Sequence, residues 1–200
     1  MWEGFLQFLK ESYPLFHSKL ALEQIDGEGC AYTRLYRWDG QDQSLRAIML
    51  MAHVDVVPVR DAETWSHPPF DGVDAEGYIW GRGNLIPRPH NANPDFEDLI
   101  FASIGALNAK SSLMSTLEAI EILLKKGFKP QRTAYIAFGH DAIVGFGGIS
   151  RVKDHLMGQG VRLEFLLDGG GAILKAGTID GVQFPVAAIG IAEKGKKTKG

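Results

Sequence analysis

Three apolar runs that each close on an ionisable residue set the strongest limit on how this chain folds. They are "RAIMLMAHVDVV" (46–57), "RTAYIAFGHD" (132–141) and "VRLEFLLDGGG" (161–171). The first two are apolar at successive positions, not alternate ones, which is the pattern of a strand covered on both faces; the third also reads as a strand. The segments between them supply the cover. "SSLMSTLEAIEILLKKG" (111–127) places Leu113, Leu117, Ile120 and Leu124 on one helical face, with Ser111 or Ser112 able to cap its start and Lys125-Lys126-Gly127 suited to its end. "GISRVKDHLMGQG" (148–160) predicts another helix, stopped by glycine. Strands alternating with helices imply an α/β fold with a mainly parallel sheet. In such sheets ligands bind beyond the carboxyl ends of the strands, and those ends carry His53 and Asp55, His140 and Asp141, and Asp168.

The remaining elements are shorter. Trp2, Phe5, Leu6 and Leu9, then Leu15, Phe16 and Leu20 after Pro14, predict two amphipathic helices at the start. Strands are expected at "CAYTRLYRW" (30–38), "GYIWGRG" (77–83) and "FPVAAIGIAEKG" (184–195), and "DGQD" makes a turn after the first. Two hundred residues, 45% hydrophobic and 22% charged, suit one domain with a real core. A net charge of −3 gives no reason to expect nucleic acid or an anionic membrane as partner. The single Cys30 has no mate for an internal disulfide and is expected half-buried. No apolar run spans a bilayer, and the first residues lack the pattern of a signal peptide, so the chain is expected to be soluble, with its compartment open.

Each site candidate has a plain structural counterpart. In "HVD" (53–55), Asp55 either orients a metal-binding His53 or forms an ordinary polar pair with it. Asp168, before three glycines, is a metal ligand or a turn acid, and taken alone the turn is the better reading. "GRG" (81–83) and "GFGG" (145–148) do not continue as a nucleotide-binding loop. His17, His67, His90 and His155 read as surface or packing residues. Ser111 and Ser112 lack the context of a hydrolase nucleophile. Trp65, Phe70 and Trp80 are expected to pack the sheet edge, with a substrate pocket as the alternative.

Taken in order, "IMLMAHVDVVPV", "W-SHPPFDGV", "GYIWGRG", "AFGHD", "LLDGGGAI" and "PVAAIGIAEKG" resemble the zinc-dependent carboxypeptidase S, aminoacylase and N-acyl-amino-acid hydrolase family of metallopeptidases, from about Phe16 to Gly195. The resemblance implies a three-layer α/β sandwich. It also implies hydrolysis of an amide beside an amino-acid carboxylate, with a small peptide or N-acyl amino acid as substrate. Such enzymes use two Zn2+ ions bridged by an aspartate and a water, which a glutamate deprotonates as it attacks. Carried over by motif, His53 matches a ligand of one zinc, Asp55 the acid orienting it, and Asp168 a second ligand of that zinc. "GALNAKSSLM" (105–114) matches a "GALDDKSSLM"-like segment, which puts the metal-bridging aspartate at Asn108. "GHDAIVG" matches "GHDEEVG", which puts the general-base glutamate at Ala142 and a ligand of the other zinc at Ile143.

These departures predict a damaged centre. Asn108 offers one neutral carbonyl donor where two anionic oxygens should bridge two dications, and Ala142 and Ile143 offer no donor. The second zinc is expected to be absent and the first at most weakly held by His53 and Asp168. Activity is expected to be lost or severely reduced, and the alternative is a non-catalytic remnant that binds at most one metal or a protein partner. The family's final histidine ligand and its lid and dimerisation domain lie downstream of the point where the sequence stops, so residues 1–200 are expected to be a partial catalytic domain, monomeric or unstable, with an unpaired sheet edge and exposed apolar faces. A 22-residue stretch, 84–105, interrupts "GRGALNAK"; it reads as an irregular insert, with His90, Asp95, Glu97 and Asp98 as the substitute-ligand alternative.

Overall fold

The computed structural model describes residues 2–80 and 107–188, apart from 26, 28–29, 57, 60–62, 64, 76–77, 144, 146 and 170–171. Contacts divide the chain into two units, 1–169 and 170–200. In the first, five strands are ordered β1-β2-β6-β3-β7: β1 (Ala21–Glu23), β2 (Arg34–Trp38), β3 (Ala47–His53), β6 (Ala134–Gly139) and β7 (Leu163–Leu167). A separate antiparallel pair joins β4 (Val73–Ala75) to β5 (Tyr78–Trp80). In the second unit, β8 (Ala172–Leu174) pairs antiparallel with β9 (Val186–Ala188). The strand expected over 184–195 thus begins in a local hairpin of the second unit, and its later residues lie outside the described residues. The insert 84–105 also lies outside them.

The main sheet is mixed. β3 runs parallel to both β6 and β7, whereas β2 runs against β1 and β6. The reversal at β2 follows from its position before β3, with no crossover helix between the two. All six residues of β6 are buried, as its continuous apolar run demands. Ile136 and Phe138 join Tyr36 and Ala52 in a core sealed by three helices: α1 (Trp2–Ser12), α2 (Pro14–Lys19) and α3 (Ser112–Lys125). Tyr135 and Ala137 face the other way, with Met49 and Leu35, against Val152 and Leu156 of α4 (Gly147–Gly158). Helices thus cover both faces, giving the three layers expected.

The ends of α3 differ in kind. Gly127, at φ +69°, closes the C-terminus in the left-handed conformation, and its N–H donates to Leu124 O. At the other end Ser111 has helical φ and ψ and makes no side-chain cap. The backbone reaches α3 through a π-helical turn, Leu107–Ser111, so the first N–H groups of α3 continue a helix and the expected serine cap has nothing to cap.

α2 is held by Glu121 of α3, only 1% exposed, whose carboxylate accepts N–H bonds from Leu15 (3.3 Å) and Phe16 (2.8 Å). These are orphan donors of the first turn of α2, far away in sequence. Beside them His17 packs edge-on to Phe16 and Tyr36 and lies 3.2 Å by Nδ1 from the Tyr36 hydroxyl. Its Nε2 is buried without a hydrogen-bond partner among the described residues. Burial, aided by Lys10, holds the His17 pKa below its ordinary value.

Two outcomes follow from this anchoring. Glu121→Ala strands two buried N–H donors and should lower stability by about 2 kcal/mol, read from denaturant unfolding. His17 is neutral in the fold, so on lowering the pH below about 6.5 the unfolded chain takes up a proton that the folded chain resists. Stability should therefore fall across that window until the depressed folded pKa is passed, and His17→Phe should flatten the slope.

Candidate metal and hydrolase site

The parallel pairing of β3 and β6 places His53 beside Gly139, so that "HVD" and "GHD" leave the sheet side by side. β7 pairs with the other flank of β3, which brings Asp168 to the same edge. The convergence expected from the three strand ends is therefore present. The connection after β3 leads to α3 on one face, and that after β6 leads to α4 on the other. A crevice between adjacent strands whose connections diverge is where open α/β sheets take ligands.

Asp55 organises this crevice. It is 7% exposed, and its Oδ1 lies 3.2 Å from His53 Nδ1, which is also 3.0 Å from the Asp55 carbonyl oxygen. With its proton on Nδ1, His53 donates to these two oxygens and leaves the Nε2 lone pair for another ligand. Asp55 Oδ2 accepts a 2.8 Å bond from the backbone N–H of Ile143. The orienting role carried over to Asp55 is thus geometrically available, and the same carboxylate tethers the loop after β6.

That loop is tied at further points. His140 Nδ1 lies 2.7 Å from Thr33 Oγ1 and its ring sits edge-on to Trp2 and Tyr32, which stack on each other. The Asp141 carboxylate accepts the N–H of Gly148, at 2.9 and 3.2 Å, at the start of α4. Gly145 N–H donates to Asp141 O at 2.9 Å. A Cβ at Gly148 would run into Thr33 Oγ1 and crowd Asp141 and His140, so the close approach requires glycine.

Asp168 is exposed, and its Oδ1 accepts the N–H of the next residue, Gly169, at 2.8 Å. Gly169 lies against Ala109 and Ser112, so the end of β7 adjoins the start of α3 beside Asn108. The side chain of Asn108 lies outside the described residues. Lys110, two residues on, was given no role from the sequence. Burial lowers its pKa and the negative charge of Asp55 partly restores it, which places the ammonium within the field of the site. Its signal in the sequence was only its place within "GALNAKSSLM". Elsewhere Phe70 is exposed and not packed as expected, Cys30 is fully buried, and His155 packs in an exposed polar contact with Gln159 and Glu23.

The donor set does not fit a two-metal centre. Ala142 and Ile143 occupy the turn after Asp141 with no ligating atom on either side chain, and Ile143 contributes its N–H to Asp55. Among the described residues no three His, Cys, Asp or Glu side chains gather closely enough to hold an ion.

The chain is 37% identical over 193 residues to a probable carboxypeptidase S-like 2 of Dictyostelium discoideum, covering 96% of this chain and 32% of that protein. It is also 37% identical over 193 residues to the N-fatty-acyl-amino acid synthase/hydrolase PM20D1 of Mus musculus, covering 96% and 33%. The chain is homologous to the carboxypeptidase S-like proteins and their N-fatty-acyl-amino acid hydrolase relatives. It spans about a third of the length of the curated relatives it matches. The fold is that of the M20 metallo-carboxypeptidase Sso-CP2 of Sulfolobus solfataricus, with a TM-score of 0.57 at 19% identity over 84% of this chain and 32% of that one. Human carnosine dipeptidase 1 matches with a TM-score of 0.56 at 12% identity over 88% and 40%. No family model matches the sequence.

The double use of Asp55 leads to a local expectation. Asp55→Ala should release Ile143 N–H and speed its amide hydrogen exchange by about tenfold or more, equivalent to the roughly 1.5–3 kcal/mol of a charge-assisted bond, while β6 amides keep their protection.

Proposed function

We propose that this carboxypeptidase S-like chain keeps the frame of an amidohydrolase site while its own hydrolytic turnover is lost or severely reduced. The ancestral chemistry is hydrolysis of the amide bond in peptides or N-acyl amino acids next to a free carboxylate, as the names of its relatives suggest. The observation that carries the reading is the position of Ile143. Its backbone is fastened to Asp55 beside His53, so the loop stands in working position, yet the residues offered there are alanine and isoleucine.

The chemical consequence follows from what is left. His53 presents one imidazole nitrogen and Asp168 an exposed carboxylate, too few protein donors for a tight zinc site. Without a carboxylate at position 142 there is no general base, a loss of about 10²- to 10⁴-fold alone. Weak metal binding multiplies that loss, because the metal makes the water nucleophilic at neutral pH. The same residues also support the second reading, a non-catalytic remnant that binds one metal weakly or a protein partner. In either case residues 1–200 represent part of a catalytic domain, with 84–105 as a passive insert. Among the described residues no helix is long and apolar enough to cross a membrane.

Zinc calorimetry combined with hydrolysis of N-acyl amino acids and dipeptides tests the proposal. The expected result is at most one weak site and turnover at background; two tight sites with chelator-sensitive turnover would overturn it. The combined variant Asn108→Asp, Ala142→Glu, Ile143→Glu should bind zinc more tightly than the starting chain, because the loop backbone already stands in place.

A further inference from the structure

Thr33 is a buried polar residue, 3% exposed, that belongs to neither the metal half-site nor the apolar core. Its N–H donates to Cys30 O at 3.0 Å, at the entry to β2. Arg34, next along, pairs with Phe138, so Thr33 stands beside Gly139, whose partner on the other flank is His53. Alternation from Leu35 and from Met49 puts Thr33 and His53 on the face that α4 covers, and Gly139 sets no side chain between them. The Thr33 hydroxyl meets both ends of the loop that follows β6. At the start it lies 2.7 Å from His140 Nδ1, and Trp2 and Tyr32 pack edge-on against the same ring. At the end it fills the space that a Cβ on Gly148 would need. The Asp141 carboxylate binds Gly148 N–H across the same base.

We propose that Thr33 is a positioning residue for the His53–Asp55 site: its hydroxyl, acting through His140 and Gly148, holds the loop so that Ile143 N–H stays on Asp55. Residues 140 and 148 are brought together around one hydroxyl, and the span between them carries Ile143, whose N–H donates to Asp55 Oδ2 at 2.8 Å. A loop with both ends fixed leaves few conformations open to its middle, so the tie at the base lowers the entropy cost of the tie to Asp55. The effect reaches His53 because Asp55 shares its carboxylate between that N–H and His53 Nδ1, 3.2 Å from Oδ1. Trp2 brings α1 into the same arrangement through its contact with His140. Such a role rests on the loop standing in working position, as proposed for the site, and asks nothing of turnover.

Amide hydrogen exchange and nitrogen NMR of the histidine rings, on the full chain without metal, test this role, whereas zinc binding and turnover decide the function proposed above. Thr33→Val, which keeps the shape and removes the hydroxyl, should speed exchange at Ile143 and Gly148 by about fivefold or more, while the amides of Tyr135 to Phe138 keep their protection. The His53 Nδ1 resonance should move with them, and Thr33→Ser should keep the rates of the starting chain. His140→Phe, which leaves a ring beside Trp2 and Tyr32, should match Thr33→Val, and the double variant should add nothing further, because both changes remove one bond. Circular dichroism checks that each variant folds, and if Thr33→Val does not, His140→Phe decides alone. Rates at Ile143 that stay unchanged, or that rise equally along β6, make Thr33 a packing residue and overturn the proposal. Effects that add in the double variant, or a Thr33→Ser chain that behaves like Thr33→Val, overturn it equally.

Discussion

The parallel register of β3 on β6, from Ile48 opposite Ala134 to His53 opposite Gly139, is the constraint on which the other features depend. It puts the two most apolar runs side by side at the centre of the sheet, where both need cover. Crossovers between parallel strands keep one hand. The chain passes from β3 to β6 in one direction and from β6 back across β3 to β7 in the other, so α3 and α4 must fall on opposite faces. The same reversal parts the two connections above the strand ends and opens the crevice that holds His53, Asp55 and the loop after Gly139.

Within that crevice the geometry rests on ties between a few polar side chains and backbone N–H groups. Asp55 holds an imidazole by one oxygen and a main-chain N–H by the other. The ties of the neighbouring loop run through Thr33 Oγ1, the Asp141 carboxylate and the N–H groups of Gly145 and Gly148. None of these contacts uses the side chain at 142 or 143. The frame therefore does not depend on the side chains at these two positions, and alanine and isoleucine leave it intact.

Much of this was legible before any coordinates. Periodicity located α1 to α4, and continuous apolar runs located β3 and β6, because burial on both faces imposes a composition that single residues cannot disguise. The spacing in "HVD" foretold the contact of His53 with Asp55, since residues two apart on an extended chain point the same way. Other features were not legible because they depend on distant groups. The serine cap of α3 was displaced by a π-helical turn that no local residue announces. The direction of β2 depended on which strand it joined. Glu121, which reads as a surface residue of an amphipathic helix, is buried because the N–H groups of α2 lie above it. Lys110 gained its place in the site through folding alone.

By itself, the sequence determined which residues can lie inside, which strand ends carry ionisable groups, and that positions 108, 142 and 143 hold neutral side chains. These are matters of composition and order along the chain. Only the tertiary structure decided that Ile143 is tethered through its N–H to Asp55, that Gly169 adjoins the start of α3, and that the apolar β7 pairs parallel with β3. Each of these depends on pairing between segments far apart in the chain, and strand register and order are fixed by the packing of the whole unit rather than by any stretch of residues within it.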